Sequence, residues 1–217
     1  MSDNKNISRE LLPEPTLRRL PWYLAYVTML KSNLIEYVSS TQIAKELNVD
    51  ASQIAKDLSY LNIKGKTRIG YKVSTLEKEL RDFLGFKKIH NAIIMGVGSL
   101  GAALIQDSGL SRYGLNITAG FDINPNIVGQ KINGVMIFNS DELETRRKQF
   151  KAEIGIITVP VDKAQDVADM MIASGIKALW NFTPVRIRVA EGIVVQNTSI
   201  YSHLAVMYNR LDVQKRN

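Results

Sequence analysis

The stretch "IIMGVGSLGAALI", Ile93 to Ile105, is an apolar run that breaks at three glycines and resumes at helical spacing. Its centre, Gly96-Val97-Gly98-Ser99-Leu100-Gly101, has the G-x-G-x-x-G spacing of a dinucleotide-binding loop. Ala92 to Met95 reads as a β-strand ahead of it, a helix-like run follows, and Asp122 ends the next strand. Each part has a task. Gly96 permits the tight turn, Gly98 lets the backbone approach a pyrophosphate, and Gly101 lets helix and strand pack closely. The helix N-terminus offers free N–H groups and a positive dipole end to the phosphates. The carboxylate of Asp122, next to Ile123, accepts hydrogen bonds from a ribose diol and repels a 2′-phosphate, which favours NAD(H) over NADP(H).

Outward from the loop, short apolar runs alternate with helical stretches: "NAIIMGV", "SLGAALIQDSGL", "NITAGFDI", "EIGIITV", "VDKAQDVADMMIASGI", "KALWNFT" and "GIVVQNTSI". Strands alternating with helices predict a parallel, doubly wound sheet of Rossmann type over residues 87–198. "TVP" (Thr158, Val159, Pro160) and "NFTP" (Asn181, Phe182, Thr183, Pro184) end two of the strands, where ligands of such sheets sit. Residues 199–217 form an amphipathic helix with Ile200, Leu204, Met207, Tyr208 and Leu211 on one side. This helix either packs on its own domain or crosses to a second subunit.

Residues 1–86 have a different character. From Thr16, a plausible N-cap, apolar residues recur at helical spacing: Leu17, Leu20, Leu24, Val27, Leu30 and Leu34. "VSSTQIAKELNVDASQIAKDLSYLNI" reads as two short helices. One starts near Ser40 or Thr41 and ends at Leu47; the other runs from about Ala51 to Leu61 behind a cap at Asp50 or Ser52. The short join "NVD" sets them at a steep angle, as in a helix-turn-helix, burying Ile43, Leu47, Val49, Ile54, Leu58 and Leu61. "KGKTRIGYKV" outlines a basic hairpin or wing, and "STLEKELRDFLGF" an amphipathic helix with Ser74 as a possible cap. The boundary with the next segment falls near residues 84–90.

A helix-turn-helix with a basic wing is an arrangement for duplex DNA; the plainer alternative is a solvated helical pair that binds protein. On the first reading the second helix enters the major groove, with Ser52, Gln53, Lys56 and Ser59 on its polar side. Gln pairs with adenine edges, whereas Lys and Ser more often hold phosphates. Lys64, Lys66, Arg68 and Lys72, with Tyr71, put the wing against the backbone or in a minor groove.

Composition agrees with this division. The chain has 217 residues, 45% hydrophobic and 23% charged, with a formal net charge of +7. Most of that excess falls in the first ninety residues, which favours an anionic partner there. No cysteine is present, so disulfides, thiolate nucleophiles and cysteine metal sites are excluded. No apolar run is long enough to span a bilayer, and the start "MSDNKNISRE" lacks the apolar core of a signal peptide, so a cytoplasmic protein is expected.

Hydride transfer to a substrate needs a proton-moving group and a substrate site. Neither is visible. His90 precedes the first Rossmann strand, His203 lies on the terminal helix, and no Tyr-xxx-Lys pair, Ser/His/Asp set or HExxH occurs. A cofactor pocket without a catalytic constellation predicts binding without turnover, with no metal. A small NAD-dependent oxidoreductase, or a CoA-binding Rossmann protein, with an appended helical domain is the alternative.

The ordered motifs resemble the Rex family of bacterial redox-sensing transcriptional repressors. The likeness is carried by "LRRLPWYL" (17–24), "SSTQIAKELNVDASQIAKDLSYL" (39–61), "IGYKV" (69–73), "GVGSLGAAL" (96–104), "FDINPNIVGQKINGV" (121–135), "ITVP" (157–160) and "GIKALWNFTPVRIRVAEGIVVQN" (175–197), nearly the whole chain. It implies a homodimer with two winged helices on a palindromic operator, exchanged C-terminal helices, NAD(H) in each Rossmann domain, and release of DNA by NADH. Several positions depart from the family pattern. Ala55 stands where relatives carry an arginine, and the wing arginine, Arg68, sits one place late. Ala25, Asp107 and Ser199 replace an arginine, a tyrosine and an aspartate that form a redox-dependent polar relay between subunits in some relatives. These departures imply a divergent paralogue with altered operator preference or altered NADH response.

Overall fold

The structure is a computed structural model that describes residues 12–61 and 63–214, and it divides into two units between Lys87 and Lys88. The polar N-terminal stretch that argues against a signal peptide lies outside the described residues.

In the first unit, helix α1 (Glu14–Ser32) opens two residues before the cap expected from sequence. Pro13 flanks it and Pro15 sits in the first turn, where a fixed φ and a missing N–H cost nothing. Thr16 is therefore not a cap; it is buried inside the helix. The inward face is Leu20, Tyr23, Leu24 and Val27, while Leu17 and Leu34 at the ends of the expected stripe are exposed. Strand β1 (Tyr37–Val38) leads into α2 (Ser40–Leu47). Ser39, not Ser40 or Thr41, caps it through a capping box: its hydroxyl accepts the Gln42 N–H, and Gln42 Oε1 accepts the Ser39 N–H. Asn48 in the left-handed region turns the chain into α3 (Ala51–Ser59), capped by Asp50; it ends two residues short of Leu61.

The wing differs from a self-contained hairpin. Lys66 and Gly70 close a tight antiparallel turn, and β2 (Tyr71–Lys72) then pairs with β1, the strand ahead of the helix-turn-helix. Helix α4 (Val73–Phe83) starts directly after Lys72, so Ser74 lies within its first turn rather than at the cap. Ile43, Ile54, Leu58, Leu61, Leu76 and Leu80 join the α1 face in one core. Each such side chain contributes roughly 1.5–3 kcal/mol on burial. Glu77, also buried, accepts from Lys31 at 2.9 Å and from Arg81, tying α4 to α1.

The second unit is a seven-stranded sheet in the order β5-β6-β4-β3-β7-β8-β9. Its strands are β3 (His90–Met95), β4 (Leu115–Asp122), β5 (Lys131–Ile132), β6 (Val135–Asn139), β7 (Ile154–Ile157), β8 (Ala178–Asn181) and β9 (Val194–Asn197). All are parallel except β5, a short edge strand joined to β6 by the turn Asn133-Gly134. Taken without β5, the order is 3-2-1-4-5-6, that of dinucleotide-binding sheets. Alternation along β3 divides the core: Ile93 and Met95 face α7 (Leu143–Phe150) and α8 (Ala164–Ala173), while Ala92 and Ile94 face α5 (Ser99–Gln106). A short helix, α6 (Ser108–Arg112), precedes β4, and the chain from β8 to β9 crosses without a helix.

Helix α9 (Ile200–Gln214) follows β9 and contributes no buried residue. Of its expected apolar face, Leu204 is half-buried and Ile200, Met207, Tyr208 and Leu211 are exposed. Among the described residues no helix is long and apolar enough to cross a membrane.

Candidate nucleotide cavity and nucleic-acid face

The glycine loop leaves β3 at the point where strand order reverses, between β4 on one side and β7 on the other. A crevice opens there beyond the carboxyl ends of the strands. Gly96 has φ +90°, and a Cβ on it would stand 2.8 Å from the Thr158 carbonyl oxygen, so both conformation and space require glycine. At Gly101 a Cβ would run into the Gly96 carbonyl oxygen. The Thr158 hydroxyl donates to that same oxygen at 2.6 Å and fastens the loop to the end of β7. Gly98, by contrast, is open: nothing lies within 4 Å of a Cβ placed on it. It occupies the N-cap of α5 without a capping side chain, and Ser99 and Leu100 beside it are exposed. That is the geometry a pyrophosphate needs, with N–H groups and a dipole end facing open space.

Val97 buries its side chain in the core, and its N–H donates to Asp122 Oδ2 at 2.6 Å. Asp122 Oδ1 accepts from the Asn124 N–H at 2.9 Å. Each carboxylate oxygen keeps a further lone pair for a ligand hydroxyl.

Two cavities flank the loop and share the wall Val159–Pro160. One, about 500 Å³, lies against Gly96, Asp122 and Ile123. The other, about 350 Å³, lies against Leu100, Thr158, Phe182, Thr183 and Pro184. Volumes of this order suit the two halves of a dinucleotide. Sequence reasoning missed several of the walls. Ser140 and, from the turn and helix after Pro160, Asp162, Lys163, Asp166 and Met170 line the larger cavity, and Ile200 and Tyr201 at the start of α9 line the smaller. The charged residues directly after "TVP" were the available signal for the first group.

Asn181 is placed differently from its expected role. It is fully buried, and all four of its hydrogen-bonding positions are filled. Nδ2 donates to Val185 O and Asn197 Oδ1, and Oδ1 accepts from the Thr183 N–H and hydroxyl. The residue shapes the loop 182–185 from beneath, and its side chain has nothing left for a ligand. Two of the family departures also have local structural tasks: Asp107 caps α6 by accepting the Gly109 N–H, and Ser199 accepts the Ser202 N–H in the first turn of α9.

In the first unit, α3 presents Ser52, Ala55, Lys56 and Ser59 outward. The Ser52 hydroxyl donates to Asp50 and that of Ser59 to the Lys56 carbonyl, so both serines are partly engaged. Gln53, expected on the open polar side, is half-buried with Nε2 on Asp57 Oδ1 at 2.8 Å. Lys64, Lys66, Arg68 and Lys72 are exposed along the wing. Lys66 lies over the Tyr37 ring, 5.4 Å from its centroid, and Tyr71 is half-buried, which raises its phenol pKa.

Asp57 is the residue of this unit that sequence reasoning missed. Its carboxylate is fully buried on α3 and accepts from Thr16, Arg19, Tyr23 and Gln53. Burial alone raises its pKa, but the hydrogen bonds, that of Arg19 first, outweigh it and hold the group down at about 2. The bond to Asp57 raises the pKa of Arg19, and that of Tyr23 is raised first by its burial and then by its hydrogen bond to Asp57.

A winged helix-turn-helix unit followed in the chain by a dinucleotide-type sheet with an open glycine loop defines the class of nucleotide-responsive transcription regulators. Comparisons with known proteins agree. Residues 12–59 match a family described as "Putative DNA-binding protein N-terminus", and residues 87–185 match the family described as "CoA binding domain". The chain is 61% identical to the redox-sensing transcriptional repressor Rex of Bacteroides fragilis over 93% of its own length and 91% of that protein's. Identity to the Bacteroides thetaiotaomicron protein of the same name is 57%, covering 98% of each. Among solved structures it is similar to RSP, a Rex-family repressor, at 34% identity and 94% coverage of both chains for the complex with β-NAD⁺ and operator DNA, TM-score 0.89. The complex of RSP with β-NADH gives 0.85, covering 94% of this chain and 96% of that one. The chain belongs to the Rex family of redox-sensing transcriptional repressors.

Proposed function

We propose that this protein is a cytoplasmic, non-enzymatic repressor that binds a palindromic operator as a homodimer and releases it when NADH replaces NAD⁺. The observation that carries the reading is the open Gly98 at the N-terminus of α5, flanked by two cavities with Asp122 at one end, in a chain of this family. Gly96–Gly101 would hold the pyrophosphate, Asp122 and Ile123 the adenosine side, and Thr158–Pro160 with Phe182–Pro184 the nicotinamide side. A bound nicotinamide supplies the redox difference that is sensed. NAD(H) is favoured over CoA by charge: Asp122 accepts from a free ribose diol and repels a ribose phosphate.

Residues 1–86 would bind DNA through α3 and the wing, residues 87–198 the nucleotide, and residues 199–217 the second subunit. The exposed apolar side chains of α9 support the last assignment. Because Ile200 and Tyr201 also line the smaller cavity, the contents of that cavity bear directly on the dimer helix. A mobility-shift assay tests the whole reading, with a duplex selected from a random pool in the presence of NAD⁺. NADH is expected to release the protein at concentrations where NAD⁺ does not, and indifference to both nucleotides removes the sensor assignment while leaving the DNA assignment.

A further inference from the structure

The nucleotide cavities make no use of Asp57, yet this buried carboxylate gathers five hydrogen bonds. Helix α1 supplies four: the Thr16 hydroxyl at 3.1 Å, Arg19 at 2.6 and 2.8 Å, and the Tyr23 hydroxyl at 2.7 Å. Those three residues share one face of α1, so the carboxylate docks α3 on α1 at a single rotation and a single height. Stability alone does not call for this arrangement, because well-packed apolar residues usually match a buried ion pair. Apolar packing lacks direction, however, and registration is the best-attested use of buried polar groups.

The fifth hydrogen bond comes from Gln53, on α3 itself. An ionised carboxylate only accepts hydrogen bonds, so Gln53 must turn Nε2 toward Asp57. Its Oε1 and second N–H are what remain for a base. We propose that Asp57 is a positioning residue for operator readout, fixing the rotation of α3 through α1 and the amide polarity of Gln53 directly. A fixed acceptor–donor pair matches the adenine edge, N6–H and N7; guanine offers two acceptors and leaves Oε1 facing O6. Gln53 then selects adenine over guanine at one position of each half-site. This inference rests on the DNA-binding reading above.

The test uses the full chain in three forms: unaltered, Gln53→Met, and the double variant Asp57→Leu with Arg19→Met. Each is measured against single-base variants of the selected operator and non-operator duplex, with NADH affinity and thermal midpoint in parallel. Gln53→Met, which leaves the Asp57–Arg19–Tyr23 contacts in place, is expected to lose roughly tenfold discrimination at one position per half-site. The double variant is expected to fold, keep its NADH affinity, and lose at least about tenfold in the ratio of operator to non-operator binding. If the double variant does not fold, Gln53→Met decides. Unchanged base preference in Gln53→Met, or full specificity in a folded double variant, overturns the inference while the DNA-binding reading stands. Should the unaltered protein bind no duplex in any nucleotide state, that reading falls and the inference with it.

Discussion

The carboxylate of Asp122 and the backbone N–H of Val97 meet at 2.6 Å, joining the end of β4 to the turn that follows β3. The acid proposed to read the ribose therefore also braces the loop proposed to hold the pyrophosphate. This bond and that from the Asn124 N–H orient the carboxylate before any ligand arrives, which lowers the entropy to be lost on binding.

Replacing Asp122 with Asn tests both tasks. The amide keeps one acceptor oxygen and loses the charge, and hydrogen bonds to charged groups contribute about 1.5–3 kcal/mol each. NADH affinity should fall by roughly tenfold to a hundredfold in a calorimetric titration. The preference for NADH over NADPH should narrow in the same experiment, because the repulsion of a 2′-phosphate is gone. An unchanged ratio would remove Asp122 from ribose recognition.

Two glycines of the loop, Gly98 and Gly101, separate binding from folding. At Gly98 an added Cβ meets nothing within 4 Å, so Gly98→Val should leave the thermal midpoint within a few degrees and abolish NADH binding while operator binding persists. At Gly101 an added methyl collides with the Gly96 carbonyl oxygen. Gly101→Ala should therefore cost about 1–3 kcal/mol of stability, visible by circular dichroism as a lowered melting midpoint. If Gly98→Val unfolds the protein and Gly101→Ala does not, the loop has been misread.

How much of this was legible in the sequence depends on whether a residue acts locally or at a distance. The strand–glycine–helix pattern, the run of β3, β4, β7, β8 and β9 and the acid ending β4 all follow short-range rules, and the sheet has them where the pattern put them, whereas β5 and β6 went unread. The β5–β6 hairpin also carried a local sign, Asn133-Gly134, both with positive φ, the pair that a tight hairpin turn needs. What no local rule shows is Asp57 with Thr16, Arg19 and Tyr23, separated by 34 to 41 positions. Thr16 has the residue type of a cap and the position of a buried donor. Asn181 is similar: its place at the end of a strand suggested ligand contact, and only the fold shows that all its hydrogen bonds are spent internally.

The outward face of α3 gives a pair of opposed substitutions. Lys56 is exposed, and a lysine that meets a phosphate releases about one counterion on binding. Lys56→Ala should weaken binding to all duplexes alike, reduce the salt slope by about one and leave NADH affinity unchanged. Ala55 is exposed as well, so arginine fits there without repacking. Ala55→Arg should tighten DNA binding and steepen the salt slope by a similar amount. Fluorescence anisotropy across a salt series measures both, and a slope that moves in neither variant would take this face of α3 away from the DNA.

Acid stability follows from the same carboxylate that docks α3. Asp57 has its pKa lowered from 3.8 to about 2 in the folded protein. A depressed folded-state value contributes stability that is complete above the unfolded value and is lost as pH falls through the folded one. The first unit should therefore hold a contribution of roughly 2–3 kcal/mol at neutral pH that disappears between about pH 4 and pH 2. Asp57→Asn removes the titrating group, so the variant should be less stable than the unaltered protein at pH 7 and approach it near pH 2. Urea midpoints followed at both values by the fluorescence of Trp22, on α1, measure the difference for this unit. A gap between the two proteins that stays constant from pH 7 to pH 2 would mean that the carboxylate is not held ionised by Arg19 and Tyr23.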